Sequence, residues 1–356
     1  MHVRSASVEN ARRRRNRRAW RAPAWLGLVV GLSACGGDVV HVHGCEPGDG
    51  LVPVCGFRNP EDLAATEDAA WLIVSQFPRS LTTEETAGSL LAYRASDARR
   101  VELPITSTAT SVRGDPTCEG PPDPALFAPH GIDVLGDVLF VVNHGAREAI
   151  ELFDWSTPDG EPRLQWAGCV PLPDDAMAND VVGTRDGRIV ATRMMPRGNS
   201  PMTMLRVVAG WNTGAVLTWT RSEGWSAWPN TEDSAPNGVE VSDDGDSVYY
   251  AAWGGKRVVH VNRDGSDRRS VPLEFHPDNL TWTTDGRLLV AGQAGPVSSI
   301  VSCGDREGGT CGMPFVVAAI DAESLAAEVL IDHDPARVGG AASVALEHAG
   351  ELWIGT

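Results

Sequence analysis

The sequence lacks the short motifs that mark several large enzyme classes. It contains no Gly-x-Ser-x-Gly elbow, no His-Glu-x-x-His pair, no Walker-type phosphate loop and no Ser-x-x-Lys. Cys-x-x-Cys pairs are also absent, which argues against zinc. Aromatic residues make up only 6% of the 356 residues, whereas 38 Gly and 24 Pro supply frequent turns. Frequent turns suit short strands better than long helices, so we expect an all-β fold.

Positive charge is scarce outside the N-terminal segment. The formal net charge is −17, yet eight arginines and a single acidic residue precede Cys35. The rest of the chain keeps 22 of the 30 basic residues and 46 of the 47 acidic residues, which gives a net charge of −24. Such an acidic body repels phosphate backbones, so we expect no nucleic-acid partner, and divalent cations are the more natural ligands.

The N-terminal segment has the pattern of an export signal. An arginine-rich stretch is followed by apolar residues 24–32 and then by Ser33, Ala34 and Cys35. This order predicts a secretory signal over 1–34, and its apolar stretch is too short to span a bilayer. Residues 32–35 (Leu-Ser-Ala-Cys) also resemble the bacterial lipobox, whose cysteine is lipidated; an ordinary signal cleaved nearby is the alternative. We therefore expect a lipoprotein of the bacterial cell envelope, attached to the membrane through Cys35, with 35–56 as a tether.

Cysteine parity agrees with export. Seven cysteines are present, and six remain when Cys35 is set aside, an even number for an oxidising compartment. Two pairs are close enough in sequence to close small loops, which leaves a third pair. The expected disulfides are Cys45 with Cys55, Cys303 with Cys311, and Cys118 with Cys169. Fifteen pairings are possible in principle, so spacing alone leaves the others open.

A turn followed by an apolar strand recurs six times along the chain. The turns lie at positions 68, 136, 187, 245, 286 and 350, at intervals of 41 to 68 residues. Intervals of this size fit the four-stranded blades of a β-propeller. A β-sandwich is the alternative, but it has no reason to repeat one hairpin at such intervals. We expect a six-bladed β-propeller over 57–356 with a central tunnel, its last blade either incomplete or completed by an N-terminal strand.

Polar residues precede these turns where the innermost strand of each blade would begin. Side chains from different blades should therefore converge on the tunnel axis. The oxygen-bearing members of this set are Glu61, Asn179, Asn237, Asp278 and Asn279. Hard oxygen donors favour calcium over zinc or copper, and two carboxylates balance one divalent ion. Taken singly, each of these residues has an alternative role in a turn, a loop cap or a solvated surface.

Two histidines lie in the same region. His130 stands at the head of the second inner strand, and His144 follows the next predicted strand. A lone histidine is more often a structural hydrogen-bonding residue than a catalyst. The position of His130 beside the predicted metal site favours a role in catalysis.

Several short segments resemble the serum paraoxonase and arylesterase family, which are calcium-dependent six-bladed propellers. The segments are 129–132 (Pro-His-Gly-Ile), 141–144 (Val-Val-Asn-His) and 150–153 (Ile-Glu-Leu-Phe), with 61–63, 179–180, 237–238, 278–279 and 354–356 in matching order. The similarity runs from about residue 57 to the end and is weakest over 193–235. The wider gluconolactonase and regucalcin group shares the fold and the metal, but the first two segments are closer to the paraoxonases.

The resemblance implies a site and a reaction. A catalytic calcium would be held by Glu61, Asn179, Asn237, Asp278 and Asn279. A second, structural calcium would be held by Asp62, Asp180 and the backbone carbonyl of Ile132. His130 would activate water as a base, with His144 as its partner, and the substrates would be lactones or aryl esters. The alternatives are a sugar lactonase of the gluconolactonase type and a surface propeller that binds a ligand or partner and uses calcium only for rigidity.

Overall fold

The protein is described by a computed structural model that covers residues 2–5, 41–78, 87–107, 113–198, 200–297, 299, 303, 309–333 and 338–356. Cys35 and the predicted signal beyond residue 5 lie outside these described residues. Within them the fold is all-β, as expected, and is arranged as a β-propeller. No helix in the described ranges is long and apolar enough to cross a membrane.

Five of the sheets have four antiparallel strands each. The first contains β4 (Pro60–Ala65), β5 (Leu72–Gln76), β6 (Ser89–Arg94) and β7 (Arg99–Glu102). The second contains β14 (Ala176–Gly183), β15 (Ile189–Pro196), β16 (Ala215–Thr220) and β17 (Gly224–Ala227). The third contains β18 (Pro236–Val241), β19 (Ser247–Ala252), β20 (Arg257–Asn262) and β21 (Arg269–Pro272). The fourth contains β22 (His276–Trp282), β23 (Arg287–Gln293), β25 (Phe315–Asp321) and β26 (Ala327–His333). The fifth, which we call the last sheet, contains β27 (Val344–His348), β28 (Glu351–Gly355), β1 (His2–Ser5) and β3 (Leu51–Val54).

The remaining large sheet departs from the predicted blade. It contains β10 (Pro129–Leu135), β11 (Val138–Asn143), β12 (Ala149–Ser156) and β13 (Arg163–Pro171), and two short strands, β8 (Thr106–Ser107) and β9 (Arg113–Gly114), pair in parallel with β13. The described residues therefore form five four-stranded blades rather than the six predicted, because β8 and β9 turn this sheet into a six-stranded one. Smaller elements are the pair β2 (His41–Val42) with β24 (Thr310–Cys311), the 3₁₀ helix Pro158–Gly160 and the helix α1 (Pro201–Val208).

The second strands of the sheets are rich in apolar residues because they are buried between neighbouring sheets. On β5, Leu72 and Val74 pack with Trp353 of the last sheet, whereas Ile73 packs with Leu139 of the six-stranded sheet. Successive side chains of a strand point to opposite faces, so a strand between two neighbouring sheets needs apolar residues at every position. The first strands β4, β10, β14, β18, β22 and β27 contact one another in sequence and close into a ring around the centre.

The last sheet joins the two ends of the chain. β1 pairs with β28 on one side and with β3 on the other, and β3 lies in the segment predicted as a tether. In the full chain the sheet is thus completed by N-terminal strands, one of the two alternatives, and β1 belongs to the segment predicted as a signal. All three predicted disulfides are confirmed: Cys45–Cys55, Cys118–Cys169 and Cys303–Cys311. Disulfides are typical of oxidising compartments, in agreement with an extracellular or periplasmic protein.

Candidate functional site

Irregular pairing at the start of the inner strands turns the polar side chains toward the centre. The register shifts between Pro129 and Ile132 on β10, and the other shifts lie at 60–62 on β4, 178–181 on β14, 236–239 on β18 and 277–280 on β22. Each interval contains at least one of the predicted site residues. A bulge bends a strand and re-aims a side chain, so these shifts give the converging geometry that a regular strand lacks.

Two glycines in these bulges allow the inner strands to approach closely. A Cβ atom on Gly131 would lie 2.5 Å from the Cα of Asp180, and one on Gly238 would lie 2.5 Å from the Cα of Asn279. Only glycine fits such contacts without displacing the neighbouring backbone. The glycines of the His-Gly and Asn-Gly pairs therefore have a packing role beside the site.

The five side chains predicted to hold the catalytic calcium lie together at the centre of the ring, and we call them the cradle: Glu61, Asn179, Asn237, Asp278 and Asn279. The amide of Asn279 donates to Glu61 Oε1 at 3.1 Å. Asn237 hydrogen-bonds to the Asp278 carboxylate, and Asn179 lies 3.4 Å from the ring nitrogen of His130. The three asparagines and Asp278 are buried.

Four oxygen atoms of the cradle have no hydrogen-bond partner although they are buried. They are Glu61 Oε2, Asn179 Oδ1, Asn237 Oδ1 and Asn279 Oδ1. An unsatisfied buried polar atom costs about 1–3 kcal/mol, so four in one place require a common explanation. A divalent cation fits this set, because a single ion can be coordinated by several oxygen atoms at the same time. In the described part of the chain no group of three or more His, Cys, Asp or Glu side chains is placed to hold a metal, so the amide oxygens are essential to the fit.

The two carboxylates of the cradle are held in a low-dielectric environment. Burial raises the pKa of Glu61 to about 7, partly offset by the hydrogen bond from Asn279. Burial and the charge of Glu61 raise the pKa of Asp278 to about 7. The nearby histidines offset these shifts in part, since His144 lowers the pKa of Glu61 and His130 lowers that of Asp278. A bound cation would favour their ionised forms.

The residues predicted for a second calcium also lie close together, but their carboxylates accept hydrogen bonds from the backbone. Asp62 accepts the backbone N–H groups of Ile132 and Leu63, and Asp180 accepts those of Val239 and Val181. These bonds tie neighbouring inner strands together. Burial, followed by repulsion from nearby carboxylates, raises the pKa of both aspartates. Neither aspartate has an orphaned side-chain oxygen, and calcium binding at the second site stays a prediction.

The two histidines are in direct contact. His130 Nδ1 lies 2.8 Å from His144 Nε2, and His130 Nε2 faces the cradle, 3.5 Å from Glu61 Oε1. Burial lowers the pKa of His130 to about 4, so its imidazole is neutral at pH 7. The ring of Phe77 packs against that of His130 with centroids 4.5 Å apart. A neutral ring nitrogen next to an oxygen cradle is suitably placed to accept a proton.

Sequence reasoning missed the residues that support the site from behind. Gln293, the last residue of β23, donates to Asp278 Oδ2 at 2.5 Å and accepts from Trp253 Nε1 at 3.0 Å. Ser343 donates to the carbonyl of Glu61 at 2.6 Å. Glu148 lies 2.8 Å from His144 Nδ1. Ser343 reaches Glu61 through the closing of the ring. Glu148 lies in the same loop as His144, and Gln293 lies on the strand that pairs with the strand of Asp278, but neither belongs to a local motif.

Comparisons with known proteins show the fold. The sequence matches no protein-family model, and no curated protein is significantly similar. A luciferin-regenerating enzyme superposes with a TM-score of 0.51 over 84% of this chain and 83% of its own, at 14% identity. A gluconolactonase from Xanthomonas campestris gives a TM-score of 0.48 over 84% of this chain and 86% of its own, at 18% identity. Such distant likeness establishes the β-propeller alone, and the paraoxonase resemblance stays a prediction.

Proposed function

We propose that this protein is a calcium-dependent hydrolase of lactones or aryl esters, with its active site at the centre of the propeller. The observation that carries the proposal is the set of orphaned oxygens in the cradle, beside the ring nitrogen of His130. Oxygen ligands of this kind suit calcium, and a neutral imidazole suits proton transfer at neutral pH. A lactonase or esterase needs both functions in one place.

The residues of the chain divide the reaction between them. When bound to the cradle, calcium would supply a Lewis acid for the ester carbonyl and for the oxyanion that forms. Asn179 and Glu61 border the space that His130 Nε2 faces, so a water molecule there would be held against the base. Phe77 covers the imidazole of His130 and limits the access of bulk water to it. His130 would accept the proton of the attacking water and return it to the leaving alcohol or phenol.

The test of the proposed function is a hydrolysis assay on a short panel. The panel contains aliphatic lactones, an aldonolactone and aryl acetates, each measured with calcium-loaded protein and with calcium-depleted protein. We expect hydrolysis by the loaded protein and its loss on depletion. Faster hydrolysis of the aldonolactone would favour the gluconolactonase type. No hydrolysis of any substrate by the loaded protein would favour a binding propeller.

We expect the rise in melting temperature caused by calcium to grow between about pH 5 and pH 8. The pKa of Glu61 and that of Asp278 are raised to about 7 in the folded protein, so the folded state binds protons more tightly than the unfolded state. Without calcium, this contribution to stability is fully present below the ordinary carboxyl pKa of about 4 and is lost as pH rises through about 7. Calcium binds the ionised forms, and at low pH it must displace protons.

The measurement is a set of thermal melts of calcium-depleted and calcium-loaded protein across this pH range. The difference between the two melting temperatures should increase with pH. A difference that stays constant from about pH 5 to pH 8 would contradict the assignment of both carboxylates to the ion.

We also propose that the mature protein begins at a lipidated Cys35 and is attached to the cell envelope. Mass spectrometry should find acyl chains on an N-terminal Cys35. A Cys35→Ala variant should no longer be found in the membrane fraction. Cleavage there would remove β1, the strand that joins β28 to β3. An unmodified N-terminus at another residue would refute the anchor.

A further inference from the structure

A chain of hydrogen bonds leads from the cradle into the wall of the six-stranded sheet. His130 Nε2 faces the cradle, and His130 Nδ1 is 2.8 Å from His144 Nε2. On its other side, His144 Nδ1 is 2.8 Å from Glu148 Oε2. The side chain of His144 is 1% exposed and that of Glu148 is 10% exposed, so water competes little for these bonds.

The neighbouring cation does not neutralise Glu148. The guanidinium of Arg147, the residue before Glu148, donates hydrogen bonds of 2.8 and 2.9 Å to the buried carboxylate of Glu151 and a third to the carbonyl of Gly120. Glu151 also accepts from Trp166 Nε1. Arg147 therefore pairs with Glu151, whereas the carboxylate of Glu148 contacts His144.

The loop between β11 and β12 does not depend on the Glu148 side chain for its shape. Asn143 Oδ1 accepts the backbone N–H groups of Ala128 and Gly145 at 3.0 and 2.9 Å. The backbone N–H of His144 donates to the carbonyl of Ala128. The backbone carbonyl of Glu148 accepts from Leu172. A change confined to the Glu148 carboxylate should therefore leave the fold intact.

We propose that Glu148 is a positioning residue that fixes the tautomers of His144 and His130. An ionised carboxylate only accepts hydrogen bonds, so His144 must carry its proton on Nδ1. His144 Nε2 is then an acceptor, and His130 Nδ1 must donate to it. The lone pair of His130 Nε2 is left facing the cradle. This assignment of tautomers stands by itself; its consequence for turnover rests on the proposed function.

The opposite arrangement would remove the base. If His144 carried its proton on Nε2, it would donate to His130 Nδ1, and His130 would hold its own proton on Nε2 facing the cradle. A protonated Nε2 cannot accept a proton from water. In the assigned arrangement, His130 Nε2 takes the proton of water while its Nδ1–H is shared with His144, and the negative charge of Glu148 stabilises the positive charge that forms.

The test replaces Glu148 by Gln, which keeps the shape and removes the charge. ¹⁵N spectra of histidine-labelled whole protein at pH 7.5 report which ring nitrogen carries the proton, and a His144→Gln variant assigns the signals. In the unmodified protein we expect the Nδ1–H form for both His130 and His144. In Glu148→Gln we expect a mixture with the Nε2–H form, because an amide can either accept or donate.

The kinetic arm uses the substrate that the unmodified protein hydrolyses best. Glu148→Gln should lower kcat by about 10- to 100-fold, with KM and calcium affinity within about twofold of the original values. Glu119→Gln is the matched control, because it removes the same charge from an exposed side chain. It should change neither the spectra nor the kinetics.

Two results would overturn the inference. One is a pure Nδ1–H form of both histidines in Glu148→Gln, and the other is an Nε2–H form in the unmodified protein. A shift of tautomer with unchanged kcat would overturn the role in turnover. Because the spectra need no substrate, a protein that shows the expected tautomers but hydrolyses nothing would refute the hydrolase and not the role of Glu148 in setting the tautomers.

Discussion

Replacing Asp278 by Asn is expected to abolish lactone and ester hydrolysis and to weaken calcium binding on the order of 100-fold or more. The substitution keeps the volume of the side chain but removes one of only two carboxylates in the cradle. The affinity of calcium sites varies over several orders of magnitude with the number of charged ligands. The measurement combines calcium titration calorimetry with the hydrolysis assay at saturating calcium.

The control is Asp243→Asn, which removes the same charge from the surface. The side chain of Asp243 is 97% exposed, and its carboxylate lies 4.0 Å from the guanidinium of Arg185. It should leave calcium affinity and turnover unchanged. If Asp278→Asn bound calcium as tightly as the original protein, the cradle would not be the calcium site.

Replacing His130 by Gln is expected to separate the base from the metal. Imidazole is not a ligand in the proposed calcium site, so calcium affinity should stay within a few-fold of the original. Turnover should fall by roughly 10²-fold or more, because the general base is lost while the cradle remains. The same calorimetry and assay give both values.

The exposed His43 offers a matched control, since His43→Gln changes a histidine in the described N-terminal segment without touching the cradle. Full turnover by His130→Gln would show that another group activates the water, although the metal site could stand. A joint loss of calcium binding and turnover would show instead that His130 supports the cradle.

The β-propeller could be predicted from the sequence because its packing imposes a repeated pattern. A strand covered on both faces is mostly apolar, as in Leu72, Ile73 and Val74 of β5, and a turn joins it to the preceding strand. The number of four-stranded blades could not be predicted. Thr106–Ser107 and Arg113–Gly114 are two-residue strands without an apolar run, and only tertiary pairing with β13 reveals them.

The convergence of the cradle side chains on the centre could be predicted because they recur at one place in successive repeats, whereas calcium binding there stays a prediction. That place is the register shift at the start of each inner strand, where Asn179 and Asp278 leave the regular ladder. Glu148 and Gln293 could not be predicted from the repeat, although each bonds to a site residue close in sequence: Glu148 to His144 within one loop and Gln293 to Asp278 within one hairpin. Hydrogen bonds of this kind leave no periodic signal.

The most direct test of the account is a crystal structure of the protein grown with calcium, with anomalous data to identify the ion. We predict one ion bound by oxygens of Glu61, Asn179, Asn237, Asp278 and Asn279 at ordinary calcium–oxygen distances of about 2.4 Å. The four orphaned oxygens should then all have a partner. A structure at millimolar calcium with no ion among these five side chains would contradict the account.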